Sequence, residues 1–423
     1  MSRKAIFSKD FRLVVTGQII SIFGNQIVRF ALPLYLLNLT GSAALFGTVL
    51  AVSFIPMLLL FPIGGIIADR VNKRNIMVIL DFSTAVLIFL FYVLSGKLDV
   101  VPLMAITMIV LYGIQGAYQP AVQASVPVLV KPEHLMQGNS VVNLITSLAS
   151  MLGPVIGGIL FSFVGLTPIL YVSIACFFGS AVLEAFIHIP FEKRQAKGNL
   201  FATGFSDLKE SFSFLFKTQP VLWKVSLLYA SLNLFLTSLV VIGLPVLITQ
   251  HLDFELDTAN RLYGYAQGII AAGAVVGGLL AGVLAKKLKA KASPYIILGS
   301  ALSVLLGGIA LQALSSSMVI YLVLTIGAGL LVALSTLLQI QIISSIGILT
   351  PKGLIGKVIS CVICLCMCTN PLGQFIYGIV FENIGSNAYL PFYAAALIMI
   401  GVAFFTRRVF YGIDLLAETQ AQA

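Results

Sequence analysis

The sequence predicts an all-α membrane protein, with twelve transmembrane helices in two pseudo-symmetric six-helix bundles. Three observations predict it. Of 423 residues, 59% are hydrophobic and 9% charged, with a mean hydropathy of +1.05, whereas a soluble domain carries about a quarter charged residues. The apolar runs reach the roughly 20 residues that a helix needs to cross about 30 Å of hydrocarbon. Basic residues cluster in alternate loops and at both ends of the chain, as the retention of Lys and Arg on the inner side predicts for an even number of crossings.

Span one, Leu13–Leu37, follows the charged segment Met1–Arg12. That segment is too charged, and the apolar run behind it too long, for a cleaved signal peptide. Span two, Leu45–Ala68, ends at an acidic-basic turn, and span three, Ile76–Leu94, begins after it. Pro102–Ala121, Asn139–Val164 and Pro168–Ile189 complete the first six. The second six are Leu222–Leu247, Leu262–Ala285, Pro294–Leu314, Met318–Ile343, Leu354–Val380 and Ala388–Phe405. The implied domains are a first bundle over 1–190, a central cytoplasmic loop over 191–221, a second bundle over 222–406 and a cytoplasmic tail over 407–423.

Orientation follows from Lys and Arg, which are retained on the cytoplasmic side. With the amino terminus inside, 22 of the 25 bases fall on inner loops; Lys97 and Arg261 lie outside and Arg29 lies within a span. Both termini are therefore expected in the cytoplasm. The net charge of +10 is consumed by this topology, and no basic patch is left for nucleic acid. The five Cys (Cys176, Cys361, Cys364, Cys366, Cys368) lie in apolar runs and read as small packing residues, not as disulfides or metal ligands.

The halves echo each other at an offset of 217 residues. Phe46-Gly47 corresponds to Tyr263-Gly264, Gly65–Arg70 to Gly282–Lys287, and Pro154 to Pro371. Such a duplication is the arrangement of two-bundle transporters, with the path between the halves. Within the central loop, Phe205, Leu208, Phe212 and Leu215 recur at helical spacing. They describe either an amphipathic helix on the inner membrane surface or a tether with some helicity.

The turn after span two reads Gly65-Ile-Ile-Ala68-Asp69-Arg70-Val-Asn72-Lys73-Arg74. This resembles the signature of the major facilitator superfamily, G-x-x-x-D-R-x-G-R-[RK], in which Gly65, Asp69, Arg70, Lys73 and Arg74 would form a conformational gate. Asn72 replaces the usual glycine, and Asn tolerates the left-handed conformation better than most residues. In span five, Ala149-Ser-Met-Leu-Gly153-Pro154-Val-Ile-Gly157-Gly158 is similar to that superfamily's antiporter motif, with Ala149 in place of the first glycine. Its small residues permit close helix approach, and Pro154 supplies a bend. Packing alone accounts for such residues equally well.

A resemblance over nearly the whole chain is to the macrolide-efflux and siderophore-exporter branch. It is carried by Phe11-Arg12-Leu13 with Gly17-Gln18, Ala31-Leu32-Pro33 with Leu39–Ala43, Pro120-Ala121 with Pro127 and Leu129-Val130, and Leu354–Val358. That branch implies proton-driven efflux of bulky amphipathic compounds from the bacterial cytoplasmic membrane by a monomer. Its partners would be a small-molecule substrate, protons and the bilayer, with the proton motive force in place of a cofactor. The arginine that many such exporters carry in span four is absent here, where Tyr112, Gln115 and Gln119 make the polar face.

Ionisable side chains within spans are costly and mark function by default. Glu184 and Asp81 are the candidates for proton coupling. For Glu184, a structural ion pair and snorkelling towards the rim stay open, and His188 one turn on is a possible sharer. For Asp81, membership of the rim network of Asp69 and Arg70 is the other reading. Gln18, Ser21, Asn25 and Arg29 share one face of span one and should look into a cavity, with a structural acid partner as the alternative for Arg29. Gln115 and Gln119, Asn143 on span five, Asn233 on span seven, Gln339 on span ten, and Asn370 and Gln374 on span eleven extend the candidate substrate lining. Interhelical hydrogen bonding is their other reading.

No H-E-x-x-H, P-loop or Ser/His/acid constellation is present, so the chain is not expected to be an enzyme. The leading expectation is export of an amphipathic drug-like compound, such as a macrolide, by proton antiport with alternating access. Export of a siderophore or other metabolite, uptake by proton symport, and a membrane sensor or structural role are the alternatives.

Overall fold

In the computed structural model, residues 8–189, 210, 212–284, 290–351 and 354–422 are described, and side chains are described for all of these except Asp69, Arg408 and 411–422. Twelve helices match the twelve predicted spans one for one. They are α1 (Lys9–Thr40), α2 (Ala43–Arg70), α3 (Lys73–Leu94), α4 (Val100–Leu129), α5 (Leu135–Val164) and α6 (Leu166–Ala185), then α7 (Pro220–His251), α8 (Leu256–Leu284), α9 (Ser293–Ala313), α10 (Ser317–Leu349), α11 (Ile355–Asn383) and α12 (Leu390–Gln422). No strand occurs among the described residues.

Helix ends follow capping chemistry. Ser8 accepts the Phe11 N–H at the start of α1, and Asp99 accepts from Val101 at the start of α4, satisfying donors that have no partner inside the helix. Gly41, at φ 65°, closes α1 in the left-handed region that suits glycine. Asn72 departs from the left-handed expectation. It sits at φ −59°, ψ 118°, and its side chain accepts the Arg74 N–H as the cap of α3. Helix α12 continues past its apolar span, which ends at Arg407, through Gln422.

The chain divides into two compact units. The first holds Met1–Gly41, Val49–Lys197 and Glu255–Gly268, and the second Ser42–Thr48, Gly198–Phe254 and Ile269–Ala423. The first turns of α2 thus belong to the second unit, and those of α8 to the first. In the first unit α1 packs on α5 and α6, while α3 packs on α4 and α6. Phe11, Val14, Met77, Tyr118, Val122 and Ile187 form a buried cluster there. In the second unit α9 packs on α10 and α12, and α11 runs along α7.

Large apolar side chains also point outwards. Phe163 is 70% exposed, Val283 80% and Phe405 82%. A water-facing surface of that kind is unfavourable, whereas lipid tails accept it.

Helix α7 carries two wide π-type turns, at Asn233–Thr237 and Leu247–His251, and a third, Phe214–Thr218, lies just before it. Of the central loop, Phe205 and Leu208 lie outside the described residues. Phe214 and Leu215 are buried, Phe212 and Phe216 lie beside Trp223, and Glu210 pairs with Lys357 at 2.8 Å.

Candidate functional site

Three helices of the first unit bring their polar groups together around one tyrosine. Gln18 Nε2 on α1 donates to Tyr118 Oη at 2.8 Å, and Tyr118 Oη donates to Glu184 Oε1 at 2.8 Å. Ser21 Oγ, one turn beyond Gln18, donates to Asp81 Oδ1 at 2.8 Å. The hydroxyls of Ser180 and Tyr118 lie within reach of the same Asp81 carboxyl. Gln18 and Glu184 are 0% exposed, Asp81 and Tyr118 3%.

Local sequence explains the assembly. Gly17 has no side chain, and Glu184 Cγ and Ser180 Oγ of α6 approach to 3.3 Å from where a Cβ would stand. Ser180 Oγ donates to the Gly17 carbonyl at 3.0 Å, tying α6 to α1. Spacings of three and four residues keep Gln18 and Ser21 on one face. The stripe read from the sequence therefore meets the two acids, Asp81 through Ser21 and Glu184 through Tyr118. Three buried oxygens of this cluster have no hydrogen-bond partner: Gln18 Oε1, Asp81 Oδ2 and Glu184 Oε2.

The rest of the stripe behaves differently. Asn25 is buried, and the Arg29 guanidinium stacks 3.9 Å from the centre of the Tyr112 ring. That contact is a cation–π interaction. Gln115 and Gln119 are half-buried on α4, and Asn143 is exposed on α5.

At the base-rich end, Arg74 donates to the carbonyl of Ala185, the residue after Glu184. Lys73 is half-buried and Arg70 exposed, while the Asp69 side chain lies outside the described residues. Gly65 has open space where a Cβ would sit. The motif on α5 is closely packed. A Cβ at Gly153 would stand 2.5 Å from Gln26 Cβ, at Gly157 3.1 Å from the Phe30 ring, and at Gly158 2.8 Å from Gly264 Cα. Pro154 lies inside the helix between them, and its carbonyl lies 2.9 Å from where a Gly264 Cβ would be. In the second unit Gly47 and Gly378 pack in the same manner, with a Gly47 Cβ 2.5 Å from the Gln374 carbonyl.

The second unit also holds a cavity of about 150 Å³ lined by Tyr229, Asn233, Gln339, Cys366, Met367 and Asn370, among others. Gln374 is buried nearby on α11 with an unpartnered Oε1. The π turn at Asn233 lets α7 approach α11, where Ser238 Oγ meets the Asn233 and Asn370 carbonyls and fills the space beside Gly373. Sequence reasoning identified both acids but missed Tyr118, whose signal was a lone polar ring in the run Gly116-Ala-Tyr118-Gln119-Pro120.

The chain is similar to several known transport proteins. The enterobactin exporter EntS of Shigella boydii is 26% identical over 368 residues, covering 82% of this chain and 79% of the relative. Macrolide efflux protein A of Streptococcus pyogenes is 23% identical over 181 residues, covering 43% of this chain. That match spans under half, 45%, of the macrolide protein's own length. The fold is that of solved transporters: a D-xylose–proton symporter at TM-score 0.70 and 14% identity, covering 93% of this chain and 96% of the other, and a bacterial homologue of the iron transporter ferroportin at 0.69 and 16%, covering 96% and 98%. The profile of the Major Facilitator Superfamily matches residues 14–365, and the chain belongs to that superfamily of transporters.

Proposed function

We propose that this protein exports an amphipathic organic compound across the bacterial cytoplasmic membrane in exchange for protons, with both termini in the cytoplasm. The observation that supports it is the buried pair Asp81 and Glu184, joined through Tyr118 and Gln18 to the polar stripe of α1. Neither acid faces a basic side chain within that cluster, so proton exchange changes its charge and alters the contacts among α1, α3, α4 and α6. A ligand moves such a carrier only by binding its two states unequally. The apolar and half-polar lining around Tyr229, Asn233, Gln339 and Asn370 suits a ligand with both characters.

Similarity to a macrolide efflux protein and to an enterobactin exporter supports the outward direction. The second match extends over more of the chain, which favours a siderophore-like or other metabolite cargo as the second reading. An accumulation screen in an efflux-deficient host, covering macrolides, tetracyclines, dyes, siderophores and lipids, tests both. Lowered accumulation that a protonophore abolishes supports export by antiport. Raised accumulation means uptake and overturns the proposal.

A further inference from the structure

We propose that the Gln18–Asp81–Glu184 cluster is also a binding site for a small alkali cation, sodium, which competes there with protons. This deepens the coupling role proposed above and rests on it. The ligand chemistry comes from the unpartnered oxygens. Gln18 Oε1 on α1, Asp81 Oδ2 on α3 and Glu184 Oε2 on α6 are all acceptors, all buried, and none has a hydrogen to receive. The cluster supplies hydrogens elsewhere: Gln18 to Tyr118, Tyr118 to Glu184 Oε1, Ser21 to Asp81 Oδ1, and Ser180 to the Gly17 carbonyl.

The two carboxyls lie close enough to interact electrostatically. Ionised together they repel, and each leaves an uncompensated buried charge. A hard cation is bound by oxygen donors of this kind, carboxylate, amide and hydroxyl, and the free oxygens proposed as its ligands lie on three helices. Protons reach the same end by binding the carboxyls, so the two ions exclude each other. Charges on the surrounding helices leave room for this. Helix α4 adds only Tyr112 and Tyr118, α5 has no titratable side chain, and α6 adds Tyr171 and Cys176. The Arg74 guanidinium is engaged at the Ala185 carbonyl, and that of Arg29 lies over Tyr112.

The test measures binding to the purified full chain in detergent, without substrate. Thermal unfolding is followed in NaCl, KCl and choline chloride at equal ionic strength, at pH 6 and pH 8, with equilibrium binding of radioactive sodium alongside. Sodium is expected to raise the midpoint more than potassium or choline does, and more at pH 8 than at pH 6, because binding to acidic ligands displaces protons. Glu184→Gln should abolish the sodium effect. Ser21→Ala, which keeps both carboxyls and removes a single hydroxyl, should weaken apparent sodium affinity about tenfold. Equal midpoints in the three salts, with no saturable sodium binding, overturn the inference. If substrate-driven proton release persists in that case, the cluster is a proton site and the antiport proposal stands without the sodium site.

Discussion

The Tyr118 hydroxyl donates to Glu184 at 2.8 Å while itself accepting from Gln18 at 2.8 Å. A carboxyl on α6 is thereby linked through α4 to the polar face of α1, so a change in its charge is felt on three helices. Hydrogen bonds to charged groups contribute about 1.5–3 kcal/mol each. Tyr118→Phe removes both bonds and keeps the ring, and transport should slow by roughly tenfold or more, with the protein still folded. Near-normal rates in vesicles would deny the bridge any part in coupling.

Glu184→Gln keeps shape and removes the exchangeable proton. Coupled efflux should be lost, while insertion and size-exclusion behaviour are unchanged. The decisive measurement is proton release by the purified variant on adding substrate. Release at wild-type stoichiometry would remove Glu184 from the coupling role.

Arg74 ties the start of α3 to the end of α6 through the Ala185 carbonyl. The contact lies beside the acid cluster but outside the lining of the cavity. Arg74→Gln should therefore reduce turnover several-fold with little change in apparent substrate affinity. A large rise in KM at unchanged turnover would place Arg74 in substrate binding instead.

Two glycines give opposite expectations. At Gly47 a Cβ would stand 2.5 Å from the Gln374 carbonyl and 2.8 Å from Gly378 Cα, both backbone. Gly47→Val should force α2 from α11 and lower both the unfolding midpoint and transport, since close packing tolerates little added volume. At Gly65 the space is open, and Gly65→Ala should leave the unfolding free energy within about 0.5 kcal/mol of wild type, as at other unconstrained sites. Equal effects at the two positions would contradict the packing.

Asn370 and Gln339 line the same cavity from α11 and α10. Asn370→Leu should change the range of compounds exported, raising KM for polar cargo about tenfold, the scale of one lost hydrogen bond. The number of protons released per substrate should not change, because the acids lie in the other unit.

The twelve spans were legible because hydropathy is a property of contiguous residues, and the offset of 217 makes Gly47 and Gly264 equivalent positions without any structure. Glu184 and Asp81 were legible because ionisable groups are rare in these spans. Their neighbours were not. Tyr118 is one of 14 tyrosines, and nothing in its own helix says that a glutamine 100 residues earlier and a glutamate 66 residues later will meet it. Arg29 likewise lies over the Tyr112 ring, a pairing across helices that local spacing does not encode. Asn72 was read from the family's glycine, yet its carboxamide does the local work of capping α3.

The π turn at Asn233–Thr237 means that α7 carries one residue more than a regular ladder would hold. That surplus makes the helix adjustable along its length. Should the turn tighten to the ordinary pattern, everything beyond it would rotate by about 100° and advance by about 1.5 Å, the increment of one helical residue. Ser238, Gly243 and Pro245 all lie on the part that would turn, so a shift of one hydrogen bond beside the cavity would re-aim a whole half of α7.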